Sequence, residues 1–250
     1  MIVPSLPVAV LSVISLNIAS QPDAASVAKE LQPGGKAAGA DVYLLQEVYK
    51  PATGPSLADT LAQQLGMHAF FTPSNPGPLG SQIGIAILSR YPLQDPRVLH
   101  LPRCDLRFRS RTRVAQKAIA QTPNGAVTVY NLHLDTRVNL DERLNQLKPV
   151  LTDAQSSRTP VLIGGDFNTN PLHWVGNVVP FPGTTQAKGT HEYMRRLGFR
   201  SALPLGTVTH DLPGFQLDWV FVKGLNVRAA NVAPLPISDH HVVRVQLSSI

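Results

Sequence analysis

The sequence predicts an α/β protein of two stacked mixed β-sheets flanked by helices. Three observations lead there. Short apolar runs bounded by turn residues outnumber segments with helical spacing. Their order does not alternate regularly as strand then helix, which argues against a doubly wound parallel sheet. Several runs also lack strict alternation, the pattern of strands buried on both faces. With 250 residues, 43% of them hydrophobic, the chain is long enough to bury a large core, and no low-complexity block divides it. Residues 1–250 are therefore expected to form a single domain.

The start, "MIVPSLPVAVLSVISLNIAS", is apolar enough for a signal peptide, yet it lacks a basic first segment and contains two prolines. It reads as a first strand. An apolar start of this kind leaves room for a leader already removed, and the lone Cys104 suits either redox compartment, so cytoplasmic and secreted placement both stay open. "DVYLLQ", "IGIAILS", "AVTVYNLHL", "TPVLIGG", "LDWVFV" and "HHVVRVQL" read as further strands. Between them, Ser56 caps a helix carrying Leu57, Leu61 and Leu65, with Gly66 as its stop. Leu140, Leu144, Leu147 and Leu151 form a second helical stripe, which Pro149 is expected to kink or shorten. "EYMRRLG", 192–198, gives a third, shorter helix. No run approaches the ~18 apolar residues of a membrane span. One cysteine excludes an internal disulfide framework and a thiolate zinc cluster.

Of the formal charge of +6, four come from "RCDLRFRSRTR", where Arg103, Arg107, Arg109, Arg111 and Arg113 face one Asp105. All five occupy odd positions, so an extended backbone would line them along one side as a rail suited to phosphate oxygens. The alternative is a solvated edge strand whose charges prevent sheet-to-sheet association.

Several strands end in polar groups that are costly to bury without purpose. Asn17 follows "VISL", Glu47 follows "YLLQ", and His133 and Asp135 sit in "YNLHLDT". "VLIGGDFNTNP" places Asp166 and Asn168 two apart on one face, Asp218 lies inside "QLDWVFV", and Asp239, His240 and His241 form "ISDHHVV". Each has an ordinary structural explanation: a turn at Asn17 or at 164–171, a surface lysine beside Glu47, a satisfied core histidine at 133, a cap at Asp218. Six strand ends carrying one class of residue call for one cause. An oxygen-rich ligand set around a cation and a phosphate suits Mg²⁺ or Mn²⁺ better than zinc.

These motifs, in this order and spread from residue 15 to 243, resemble the endonuclease/exonuclease/phosphatase superfamily with its DNase I-like fold; "SLNIAS", "LLQEV", "GIAILSRYPL", "YNLHLDT", "GGDFNTNP", "LDWVFV" and "SDHHVV" carry the likeness. The resemblance implies a four-layer sandwich with a metal-dependent phosphoesterase site between the sheets at one rim. It implies Glu47 as principal Mg²⁺ ligand, with Asn17 and Asp239 near the metal. Asp166 and Asn168 would align or activate the attacking water and hold the phosphate. His240 would contact the scissile phosphate, oriented by Asp218. His133 would supply a second proton-transfer or phosphate contact, for which Asp135 is the nearest candidate partner; His241 receives no role.

The arginines argue for a polyanionic substrate, with Phe108, Trp174 and Trp219 as stacking candidates, although Trp174 also suits simple hydrophobic cover. A nuclease acting as a monomer is expected. The alternative is a phosphoinositide phosphatase or sphingomyelinase-like enzyme binding anionic lipid head groups. A catalytically dead binding module should have lost Glu47, Asp166, Asn168, Asp239 or His240, and all five are present.

Overall fold

The computed structural model describes residues 10–249, apart from 22, 109, 110, 184, 185 and 213. One six-stranded sheet contains β1 (Leu11–Asn17), β2 (Val42–Lys50), β3 (His68–Pro76), β4 (Gln82–Ser89), β13 (Leu225–Ala233) and β14 (Val242–Ser249), in the spatial order β13-β14-β1-β2-β4-β3. The other contains β5 (Leu93–His100), β6 (Val114–Thr122), β7 (Gly125–His133), β8 (Val161–Asp166), β11 (Arg200–Ser201) and β12 (Asp218–Lys223), in the order β11-β12-β8-β7-β6-β5. Each sheet is mixed: β1 and β2 run parallel in the first, β7 and β8 in the second. A separate hairpin joins β9 (Leu172–Val175) to β10 (Val179–Pro182).

Three apolar clusters make the layers. Val13, Leu44 and Val245 of the first sheet meet Val129, Leu162 and Val220 of the second between the sheets. Helices α1 (Ala24–Leu31) and α2 (Leu57–Leu65) cover the outer face of the first sheet, through Val27, Leu31 and Leu61. Helices α3 (Leu140–Gln155) and α4 (Gln186–Arg196) cover the second, through Leu147, Leu151 and Met194. Central strands covered by helices on one face and by the other sheet on the other are buried on both, which explains the unbroken apolar runs.

Ser56 caps α2 in a capping box with Asp59, and Gly66 ends it in the left-handed region. The third helix begins six residues earlier than its sequence stripe, and α1 follows an Asp23 cap that the composition of 24–31 conceals. Helix α3 is not shortened at Pro149 but runs through it for 16 residues, held by buried Leu147, Val150 and Leu151 on its core face. One expectation fails. The described residues of the arginine segment form neither a strand nor an edge: they lie in the loop between β5 and β6. Pro102 has no N–H for a ladder, Leu101 and Leu106 turn inward, and Leu106 N donates to Cys104 O at 3.0 Å, so the alternation that would align the arginines is broken. Arg109 lies outside the described residues. Among those residues, no helix is long and apolar enough to cross a membrane.

Candidate active site

Strand register gathers the polar ends. In the second sheet His133 of β7 stands opposite Asp166 of β8, and Asp166 opposite Asp218 of β12, so three adjacent strands present three functional groups side by side. Gly165 permits this approach. It has φ +136°, and a Cβ there would sit 2.0 Å from the Leu132 carbonyl oxygen. In the first sheet Asn17 ends β1, and Glu47 is the extra residue of a bulge in β2, where the pairing shifts between Gln46 and Val48. Glu47 has φ +56°, a costly conformation for glutamate that re-aims its carboxylate toward the rim.

The two sheets meet at Asp166. Its Oδ2 accepts from Asn17 Nδ2 at 3.1 Å and lies 3.4 Å from His133 Nε2 and 3.8 Å from His240 Nε2; its Oδ1 accepts from Asn168 N at 2.8 Å. His240 Nδ1 is 2.9 Å from Asp218 Oδ2. Asn168, at φ +53°, donates its amide to Leu134 O at 3.0 Å. Glu47 accepts from Ser20 Oγ at 2.8 Å and more weakly from Asn17 Nδ2 at 3.5 Å. Glu47, His133, Asp166, Asn168, Trp174 and His240 border one cavity of about 220 Å³.

Burial raises the Asp166 carboxyl to about 7, against the pull of the His240 cation. Burial opposes charge on His240 as well, but the Asp218, Asp166 and Asp239 carboxylates outweigh it and raise the imidazole to about 10. Burial, reinforced by Arg113 and His240, holds His133 well below its ordinary value. The site thus pairs an imidazolium and a neutral imidazole around one carboxylate of raised proton affinity, the separation of proton affinities that acid–base chemistry needs.

A sequence model of the Endonuclease/Exonuclease/phosphatase family matches residues 14–240. The chain belongs to that family. Family members are phosphoester hydrolases, and this chain is one. Its fold is similar to an endonuclease/exonuclease/phosphatase from Beutenbergia cavernae, with TM-score 0.74 and 23% identity over 96% of this chain and 72% of that one. It is also similar to the human Nocturnin catalytic domain with bound sulfate, at TM-score 0.69 and 20% identity over 96% and 94% of the two chains. A third likeness is to ANGEL2, a 2',3'-cyclic phosphatase in complex with adenosine-2',3'-vanadate, at TM-score 0.67 and 18% identity over 96% of each chain.

The endonuclease/exonuclease/phosphatase family is typically metal-dependent, and the donors here fit a hard divalent cation. Among the described residues Glu47 has no cationic partner within 4 Å, and Asp218 Oδ1 is buried with no hydrogen-bond partner. Two His/Asp clusters, Asp166–Asp218–His240 and His210–Asp239–His240, have ligand atoms within 4.8 Å of one another.

Several placements differ from the sequence reading. The Asp239 carboxylate, near the metal and nucleophile in the sequence reading, is 56% exposed and lies 3.2 Å from His210 Nε2, beside His240. Asn17 turns its amide nitrogen to the carboxylates, while its Oδ1 accepts from Ala19 N. Asp135 is not the partner of His133: it binds Arg113 at 2.8 Å and Gln146 at 2.7 Å, all buried. Arg113 is thereby withdrawn from the proposed rail. Arg107 and Arg111 stay exposed. Trp219 is fully buried against Phe221, with Nε1 donating to Thr169, and is no stacking platform.

Two site residues escaped sequence reasoning. His210 meets the His240 ring edge-on at 4.8 Å, in a loop without periodicity that offered no signal. Arg143 is fully buried and donates to the carbonyls of Asp135, Phe167 and Val138, tying the loops after β7 and β8 to α3. Its position three residues after Leu140 and four before Leu147 put it on the apolar stripe, a signal that was available.

Proposed function

We propose that this phosphoesterase hydrolyses phosphodiester bonds of nucleic acid by attack of water, with Mg²⁺ or Mn²⁺ held by Glu47 and the neighbouring oxygen donors. The observation that carries the reading is the setting of Asp166, a buried carboxylate of raised proton affinity flanked by His133 and His240 on the wall of an open cavity. A bound divalent cation supplies Lewis-acid stabilisation of phosphoryl charge. Asp166 takes the proton of the attacking water, and Asn17 holds the carboxylate oriented. His240, kept cationic by Asp218, neutralises charge on the phosphoryl oxygens as it develops. Neutral His133 donates from a ring nitrogen to a phosphoryl or leaving oxygen, and Asn168 fixes the loop that follows Asp166.

A second reading, hydrolysis of phospholipid head groups, is favoured by half-exposed Val175, Val179 and Phe181 on the hairpin that carries Trp174. One screen separates them: plasmid DNA, single-stranded RNA, phosphoinositide and sphingomyelin, each with EDTA and then with Mg²⁺ or Mn²⁺ restored. Cleavage of nucleic acid only with metal is expected. Full turnover in EDTA removes the metal from the mechanism, and release of lipid head groups without nucleic-acid cleavage overturns the substrate. Glu47→Gln is expected to lose turnover on the order of 10²-fold or more while the chain stays folded.

A further inference from the structure

Beside the active-site cavity lies a second, larger one of about 450 Å³, and Thr136 and Trp174 border both. Resting on the nucleic-acid reading above, we propose that this basin is the subsite for the nucleotide next to the scissile phosphate, and that it selects single strands. Arg111 and Arg137 would take the phosphate, and Phe108 or Trp174 would stack on the base.

The chemistry of the walls supports this. Arg113 and Asp135 also line the basin, but they neutralise one another in a buried pair at 2.8 Å. Arg111 and Arg137 line the same wall, two further guanidinium groups of the kind that suits a phosphodiester anion. Phe108 is 62% exposed on the same basin, an aromatic face of the kind that stacks on bases. Trp174 is fixed in advance: Asn139 donates to its carbonyl at 2.9 Å and accepts from its N–H at 2.9 Å, and its indole nitrogen donates to Asn170 at 3.2 Å. Arg137 donates to the backbone carbonyl of Phe108 on the same basin. A base inside a duplex has no free face for such a ring, whereas an unpaired base does. The volume falls within the usual range of small-ligand pockets, about 300 to 1,000 Å³.

The test uses the full chain carrying Asp166→Asn, without metal, so that nothing is cut. A fluorescein-labelled thymidine decanucleotide is titrated at several salt concentrations, beside a duplex of the same length. Tighter binding of the single strand is expected. Replacing Arg111 and Arg137 together by alanine should flatten the slope of log affinity against log salt by about 0.7, the contribution of the one single-strand phosphate that the two arginines share. The same two positions changed to lysine should keep the slope, which separates loss of charge from loss of folding. Phe108→Ala should weaken binding roughly tenfold with the slope unchanged, the size of one base–aromatic stack.

Unchanged slope and unchanged affinity in these variants, with the strand still bound, would overturn the subsite and leave the nuclease reading standing. Hydrolysis of bis-para-nitrophenyl phosphate by the parent chain, with neither strand bound, would overturn both. Adsorption to phosphatidylserine vesicles through the same residues, in place of the oligonucleotide, would assign the basin to lipid and overturn the proposal.

Discussion

Asp218→Asn tests whether His240 works as a cation. The Asp218 carboxylate is fully buried, with Oδ2 2.9 Å from His240 Nδ1. Two unit charges at that separation attract by about 6 kcal/mol at an effective dielectric of about 20. At about 1.36 kcal/mol per pH unit this corresponds to about four units of proton affinity. Burial works in the other direction, and with Asp166 and Asp239 contributing, the balance leaves His240 raised to about 10. The amide has nearly the same volume but no charge, so the variant keeps its packing and loses the largest charge that favours the imidazolium. The asparagine oxygen can still accept from Nδ1–H, which at about 1.4 kcal/mol returns about one unit, so we expect His240 to titrate about three units lower, near 7.

The assay is turnover of bis-para-nitrophenyl phosphate with metal across the pH range, on the parent and the variant. The parent should hold its activity until the pH nears 10. The variant's alkaline limb should begin near 7, leaving on the order of a thirtieth of parental turnover at about pH 8.5. Stability provides an independent reading with its own sign. A histidine whose proton affinity rises on folding stabilises the fold fully below its ordinary value, and that contribution disappears as pH climbs through the folded value. The parent's melting temperature should therefore fall between its ordinary 6.5 and about 10, and fall less in Asp218→Asn. The same alkaline limb in both proteins would refute the cationic role, whatever the absolute rates.

Asp166→Asn and His240→Ala are each expected to lower turnover by on the order of 10² or more, and together by far less than the product, as measured by steady-state kinetics on folded protein. His241→Ala, whose ring faces Asp211 at 3.1 Å on the surface, should change turnover little by comparison. Gly165→Ala should destabilise the chain in urea denaturation and depress activity, because the new Cβ must displace the Leu132 backbone next to His133. Arg143→Met should cost about 3 kcal/mol by the same measurement, since it strands three buried carbonyls that now accept from the guanidinium. A midpoint equal to the parent's would remove Arg143 from the role of loop tie.

The strand-end groups were legible because a strand's period makes a buried polar residue conspicuous. Asp166 and Asn168 stand two apart at the end of an apolar run, and the structure places Asp166 between His133 and Asp218 by strand register. Helix α2 was legible for the same local reason, with its cap, stripe and stop all inside eleven residues. Tertiary context decided the remainder. Odd spacing of the arginines predicted a rail only on an extended backbone, and inward Leu101 and Leu106 bend that backbone into a loop. Arg113 then found a buried anion, Asp135, that no spacing rule connects to it. His210 reaches the site from a loop whose conformation has no periodic signature, so its contact with His240 could be seen only in three dimensions.

The site's division between two sheets gives the polar core a further purpose. Sheets held together by apolar contacts alone can slide, because such contacts have little directional preference. Here Asn17, Glu47 and His240 belong to one side, and His133, Asp166 and Asp218 to the other. Slippage would break the Asn17–Asp166 and His240–Asp218 contacts together. Between the sheets Gln46 donates to Asn131 Oδ1 at 2.7 Å, and Asn131 donates in turn to the carbonyls of Leu45 and Ala86 at 3.0 and 2.9 Å. Directional, buried bonds of this kind fix one alignment at some cost in desolvation. Gln46 is adjacent to Glu47 at the bulge, and Asn131 is two residues before His133, so the polar tie lies beside the groups whose separation matters most. Replacing Asn131 by isosteric leucine should therefore harm turnover more than stability predicts: three directional contacts between the sheets are lost, with a weaker one to Gln116, while the apolar layer around Val129 and Leu44 still supports folding. Parallel urea denaturation and kinetics on Asn131→Leu would show this, and losses in turnover that merely track the unfolded fraction would rule it out.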